Sequence, residues 1–196
     1  FEGPECAGKS TQVRLVADCL REGGIDVLVT REPGGTKLGE RIRELLLSAD
    51  DLVIAPETEA LLMTAARAQH VSEVIRPALG KGQVVLCDRY IDSTLAYQGA
   101  GHGLAVSALD ELQPFAVGCI RPELTVLLDL PVEVGLSRRE QSGIPLNRLD
   151  QYDVDFHERV RDWYLQAAGA DPERWIVVDA QQGPEVTAAS IQRHIL

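Results

Sequence analysis

Gly3-Pro4-Glu5-Cys6-Ala7-Gly8-Lys9-Ser10, followed by Thr11, fits the pattern G-x-x-x-x-G-K-[ST]. The spacing has a physical basis. Two glycines let the backbone curl until its N–H groups converge on a polyphosphate, and the helix that follows turns its positive end toward the same anion. Lys9 is placed to reach β- and γ-phosphates, and the Ser10 hydroxyl to sit on a divalent cation. The motif requires a strand before it and a helix after it. Val13, Val16, Ala17 and Leu20 recur at helical spacing downstream. Upstream stands only Phe1-Glu2, so the first strand is expected to be cut short.

A chain of 196 residues is long enough for one α/β core, and 45% apolar with 25% charged residues is ordinary globular composition. A net charge of −11 argues against nucleic acid or an anionic membrane as partner. Any anionic ligand must therefore be held by local arginines and lysines. No apolar run approaches the roughly 18 residues that span a bilayer, and no signal peptide is visible. Cys6, Cys19, Cys87 and Cys119 show neither metal nor disulfide spacing, which points to reduced thiols and the cytoplasm.

Short apolar runs alternate with helical patterns, which predicts an α/β fold: a mostly parallel sheet with helices on both faces. Strands are expected at 25–30, 84–87, 124–130 and 175–178; with the shortened first strand these make a five-stranded parallel sheet. Helices are expected at about 9–22, 37–48, 56–80, 105–117, 132–141, 151–169 and 184–195, in one domain over 1–196. Functional residues of such sheets lie at the carboxyl ends of the strands. There the sequence places the phosphate loop, Arg31-Glu32-Pro33-Gly34-Gly35-Thr36 and Asp88-Arg89-Tyr90. Asp88 ending a buried strand is either a ligand of a hydrated cation or a cap for a neighbouring N–H. Arg89 offers a fork of donors for a phosphate, or else makes a surface ion pair.

Several longer strings together resemble the bacterial thymidylate (dTMP) kinases: Phe1–Glu5, Thr30–Thr36, Ala65-Ala66-Arg67-Ala68-Gln69-His70, Asp88–Gly99 and Asn147-Arg148-Leu149-Asp150-Gln151. The resemblance implies a P-loop kinase fold with a mobile lid at about 137–150, the substrates ATP and dTMP, Mg²⁺ and a homodimer. By resemblance, Gly3 to Thr11, with Arg138 and Arg139 of the lid, hold ATP, and Ser10 and Asp88 serve the metal. Arg89 and Arg43 grip the dTMP phosphate, and Glu5 orients the sugar hydroxyl and nearby arginines. Arg67 bonds the thymine ring, Gln98 meets its N3–H and O4 edge, Tyr97 crowds C2′ and Thr94 completes the pocket.

Two positions depart from the family pattern. Met63 stands where an aromatic residue usually stacks on the base; a thioether can cover a ring face, and a core role is the alternative. Cys6 stands where relatives carry glycine or a catalytic arginine. The loop therefore lacks that arginine, and the lid, with Arg138, Arg139 and Arg148, is expected to supply it. Arg148 lies in the best-matched string; Arg138 and Arg139 equally suit a solvated helix face. Lys9, Arg89, Arg148 and Glu5 are the expected catalytic set. A thiol at Cys6, near a helix N-terminus and Lys9, is expected to be reactive. A kinase for another nucleotide or nucleoside, and a non-catalytic nucleotide-binding switch, are the alternatives; no N-K-x-D guanine motif is present.

Overall fold

Val13, Val16, Ala17 and Leu20 recur on one face of α1, Lys9–Glu22, and all four are buried. Burial of such side chains contributes about 1.5–3 kcal/mol each for the larger ones, which is what holds this helix on the sheet. The computed structural model describes residues 1–48, 52–143 and 147–195. After α1 come β1 (Val27–Arg31), α2 (Lys37–Leu47), α3 (Pro56–His70), a wide π-helical turn (Val71–Ile75), α4 (Arg76–Leu79) and β2 (Val84–Asp88). Then follow α5 (Ile91–Thr94), a second π-helical turn (Leu95–Gly101), α6 (Val106–Val117), β3 (Thr125–Asp129) and α7 (Val132–Gln141). A 3₁₀ turn (Leu149–Gln151), α8 (Val154–Ala170), β4 (Trp175–Asp179) and α9 (Pro184–Ile195) complete the chain.

The sheet differs from the one expected. Among the described residues there are four strands, in two parallel pairs: β1 with β2, and β3 with β4. Phe1 and Glu2 form no strand, because two residues are too few for a ladder; they contribute a single bridge to Leu127. Their backbone is nevertheless fully used. Phe1 donates to the Cys87 carbonyl at 2.8 Å and accepts from Arg89 N–H at 2.9 Å. Glu2 donates to Val126 O at 2.8 Å and accepts from Leu128 N–H at 2.9 Å. Two residues thus tie β2 to β3 where a fifth strand was anticipated.

Side chains alternate across β3 as a strand requires. Val126 and Leu128 pack with α1 and α9, while Leu127 packs with Phe156, Val160 and Tyr164 of α8. A third cluster joins α3, α5 and α6. Thr36 caps α2 by accepting from Gly39 N–H at 2.9 Å, and Asp153 caps α8 through Phe156 N–H at 2.7 Å. That cap moves the start of α8 three residues beyond the expected 151. The expected helix 56–80 is interrupted by the first π turn. Helix α5 and the second π turn were not anticipated at all: Thr94, Tyr97 and Gln98 are all buried, so no polar face marks a helical period. Helix α7 ends at Gln141, and Gly143 has φ 67°; residues 144–146 of the expected lid lie outside the described residues.

Candidate active site

The phosphate loop is shaped by its neighbours as much as by its glycines. Gly3 has φ 140°, and a Cβ there would stand 2.5 Å from the Leu128 carbonyl, so only glycine lets the loop lie against β3. Gly8, at φ 88°, turns the chain into α1. Cys6 holds φ 55° without being glycine. The Lys9 ammonium donates to Gly3 O at 3.1 Å and Pro4 O at 2.7 Å. Ser10 Oγ donates to Asp88 Oδ2 at 2.6 Å, joining the two residues expected at the metal. Helix α7 rests on this loop: a Cβ on Gly135 would come within 2.7 Å of Glu5 O, and Arg138 Nη1 lies 3.5 Å from Cys6 O and 3.1 Å from Ala180 O.

Arg89 follows β2 with φ 67°, a left-handed conformation rare for a bulky residue. It turns the guanidinium back over the loop. Nη1 donates to Gly3 O at 3.1 Å and Ser93 Oγ at 3.2 Å; Nη2 donates to Glu5 Oε1 at 2.8 Å and Tyr97 Oη at 3.0 Å. Tyr97 in turn donates to Glu5 Oε1 at 3.0 Å. Burial works against the Glu5 carboxylate, but Arg89, Lys9 and the Tyr97 hydroxyl outweigh it and hold the carboxyl down at about 2. Glu5 is therefore an anion at neutral pH and an acceptor only.

Burial, with Arg89 nearby, pulls the Lys9 ammonium down to about 8 from the ordinary 10.5. Between those values the unfolded chain binds more protons at this residue than the folded one, so the lysine's contribution to stability rises with pH. The difference in unfolding free energy between the wild type and K9M is expected to shift toward the wild type from pH 7.5 to pH 10. Urea titrations at the two pH values measure it; an unchanged difference contradicts the shift. Subtracting the variant cancels the cysteines and tyrosines that titrate in the same range.

One cleft, open to solvent at its mouth, collects Glu5, Arg43, Met63, Arg67, Arg89, Thr94, Tyr97 and Gln98. All the residues expected around dTMP line it. Arg89 also shares the Gly3 carbonyl with Lys9, so the cleft meets the phosphate loop end to end. Arg67 is almost fully buried: Nε donates to Glu32 Oε2 at 2.7 Å, Nη1 to Thr94 Oγ1 at 3.0 Å and Gln113 Oε1 at 2.9 Å, and Nη2 to Tyr90 O at 2.8 Å. Arg43 Nη1 donates to Pro33 O at 3.1 Å. Met63 is both a cleft residue and a neighbour of Ile42, Leu46 and Ala66 in the core.

The lid arginines divide. Arg138 reaches the loop backbone, and Arg139 is largely buried with Nη1 3.2 Å from Ser142 Oγ. Arg148 points elsewhere: it pairs with Glu59, donates to Tyr152 Oη at 2.7 Å and to Leu46 O at 3.0 Å.

The sequence profile of thymidylate kinases matches residues 1–191. The chain belongs to the thymidylate kinase family. It is 61% identical over 191 residues to a thymidylate kinase of Thermomicrobium roseum, covering 97% of this chain and 90% of that protein. It is 54% identical over 195 residues to a thymidylate kinase of Pseudomonas entomophila, covering 100% and 90%. The crystal structure of thymidylate kinase from Ehrlichia chaffeensis superposes with a TM-score of 0.80 at 32% identity, covering 100% of this chain and 96% of that one. The family accounts for the P-loop kinase α/β fold.

Three carboxylates that sequence reading did not single out support this thymidylate kinase site. Glu32 holds Arg67 and His70. Glu2, nearly fully buried, accepts from Tyr90 N–H, Ser93 Oγ and Tyr164 Oη, and so fixes the segment after β2. Glu59 accepts from Gln98 and Arg148. A usable signal existed for Glu59: it lies four residues before Met63 and eight before Arg67, an acid on the same helix face.

Proposed function

We propose that the loop and the cleft hold ATP and dTMP head to head, and that the chain carries out the thymidylate kinase reaction, ATP + dTMP ⇌ ADP + dTDP, on this arrangement. The observation that carries the reading is the junction at Gly3 O, where Lys9 from the loop and Arg89 from the cleft meet. Phosphoryl transfer depends on positioning and on neutralising charge, and both are concentrated there. Loop N–H groups and Lys9 take the ATP phosphates, with Thr11 beside them. Arg89 and Arg43 take the dTMP phosphate. Glu5, an anion fixed by Arg89 and Tyr97, is the acceptor that orients the sugar hydroxyl and the arginine. Gln98 and Arg67 read the base while Met63 covers its face.

Ser10 and Asp88 present one hydroxyl and one carboxylate side by side, oxygen donors suited to Mg²⁺, which keeps several waters and takes phosphate oxygens. Bound there, the ion would neutralise charge on the donor phosphates. Arg138, against the loop backbone, is the lid cation we assign to the transferring phosphoryl group, with Arg139 beside it on α7. Arg148 was expected in that catalytic role; its contacts with Glu59 and Tyr152 favour a role at the base end of the cleft. Closure of the segment around 137–150 would bring the lid cations in and exclude water.

A panel of dTMP, dCMP and GMP with ATP and Mg²⁺ tests the reading. dTDP is expected as the dominant product. Preference for dCMP or GMP overturns the substrate assignment, and ATP binding without product overturns catalysis.

The finer attributes rest on separate observations. None of the four cysteines is in a disulfide, which supports a cytoplasmic setting, and no helix among the described residues is long and apolar enough to cross a membrane. Phe115, 94% exposed, and Leu112 lie three apart on α6, and Leu61 is exposed on α3, the helix that α6 packs against. These side chains support the homodimer. F115E is expected to sediment as a monomer where the wild type sediments as a dimer; an unchanged sedimentation coefficient removes this face from the interface.

A further inference from the structure

Behind Gln98, outside the lining of the cleft, stands a carboxylate that touches no expected substrate atom. Glu59 is fully buried on α3, yet it carries three polar neighbours. Gln98 Nε2 donates to its Oε1 at 2.6 Å, Arg148 Nη2 pairs with its Oε2, and His102 Nε2 lies 3.5 Å from Oε1. Burial alone would raise the Glu59 carboxyl, but His102, Arg148 and Gln98 outweigh it and hold it below the usual carboxylate range. An ionised carboxylate only accepts hydrogen bonds. The face of the Gln98 amide turned to Glu59 must therefore be its NH₂, which fixes which way round the amide oxygen and the second N–H are left for the cleft.

We infer that Glu59 is the positioning residue that makes this kinase prefer thymine over cytosine, by locking the Gln98 amide with its oxygen toward the base. The inference rests on the reading of Gln98 as a base contact given above. Thymine presents an N3–H donor and an O4 acceptor; cytosine presents a bare N3 acceptor and an N4 amine donor. A locked Gln98 oxygen accepts from thymine N3–H and meets a lone pair on cytosine N3. Arg67 offers donors only, so it suits O4 and opposes the N4 amine. Without the lock, a glutamine amide turns over and satisfies either base. Discrimination then resides in a residue that never meets the ligand. A buried polar group left facing its like weakens binding by at least about tenfold.

The test is the ratio of dissociation constants for dCMP and dTMP, measured by competition at equilibrium. The wild type is expected to favour dTMP by about a hundredfold or more. In E59Q the new amide can offer either oxygen or NH₂ to Gln98, and the ratio is expected to fall at least tenfold. E59Q also leaves the Arg148 cation without its anion, which threatens folding. The double variant E59Q/R148M removes both charges; it is expected to recover melting temperature while its ratio stays low. A purely structural role for Glu59 would restore both together. Q98A separates the two levels of the argument. If Q98A keeps the wild-type ratio, or the wild type itself does not discriminate, the assignment of Gln98 to the base fails. If Q98A collapses the ratio while E59Q and the double variant keep it, the role of Glu59 is overturned.

Discussion

Arg89→Met is expected to lower kcat/KM for dTMP by about a thousandfold while leaving ATP affinity within a few-fold of the wild type. The size follows from what the guanidinium does. Among the described residues it is the group that contacts both the loop carbonyl of Gly3 and the Glu5–Tyr97 pair, and it lies in the cleft proposed for the acceptor phosphate. Removing one donor aimed at developing charge typically costs 10²–10³ in rate, and in the proposed arrangement the acceptor phosphate also loses its main cation. R89K is expected to recover less than tenfold of the loss. An ammonium is a point charge and cannot span Gly3, Ser93, Glu5 and Tyr97 as a planar fork does. Steady-state kinetics with ATP and dTMP varied separately decides the matter. A loss under tenfold, or one that falls on ATP, removes Arg89 from the acceptor phosphate.

Arg67→Met is expected to destabilise the fold by about 4 kcal/mol, seen as a melting temperature lower by roughly 8–16 °C. Arg67 is 2% exposed and binds Glu32, Thr94, Gln113 and Tyr90. Deleting it leaves the Glu32 carboxylate buried with His70 alone, at 2.9 Å from Nδ1. The double variant R67M/E32Q removes the stranded charge and is expected to recover at least half of the lost stability, without recovering dTMP binding. A single variant that unfolds at the wild-type urea midpoint contradicts this account. The same arginine thus serves the fold and the proposed base pocket, and the paired substitution separates the two.

How much was legible depended on whether the chemistry is contiguous in the chain. The phosphate loop, Asp88-Arg89 and the Thr94–Gln98 string carry their meaning in neighbouring residues; the structure brings Glu5, Arg89, Thr94, Tyr97 and Gln98 to one cleft and joins Asp88 to Ser10 beside it. Their supports come from distant segments. Glu2 meets Ser93 and Tyr164 across 91 and 162 positions, and Glu59 meets Arg148 across 89. No local pattern announces such pairs. Arg148 shows the limit most clearly: its string was recognised, but not the direction of its side chain, because the acid that draws it stands on another helix. The strand count failed for a simpler reason. Phe1 and Glu2 make the hydrogen bonds of a central strand without enough length to be one.

The widened turn at Leu95–Gly101 restricts how this region can diverge. It aims adjacent side chains at separate tasks: Tyr97 at Glu5 of the phosphate loop, Gln98 at Glu59 behind the proposed base pocket. Loss or gain of one residue would rotate everything beyond it by about 100°, swinging one of these side chains off its target. Change here is thereby confined to replacement in place, and homologues that accept a different base should differ in side-chain identity within this turn, not in its length.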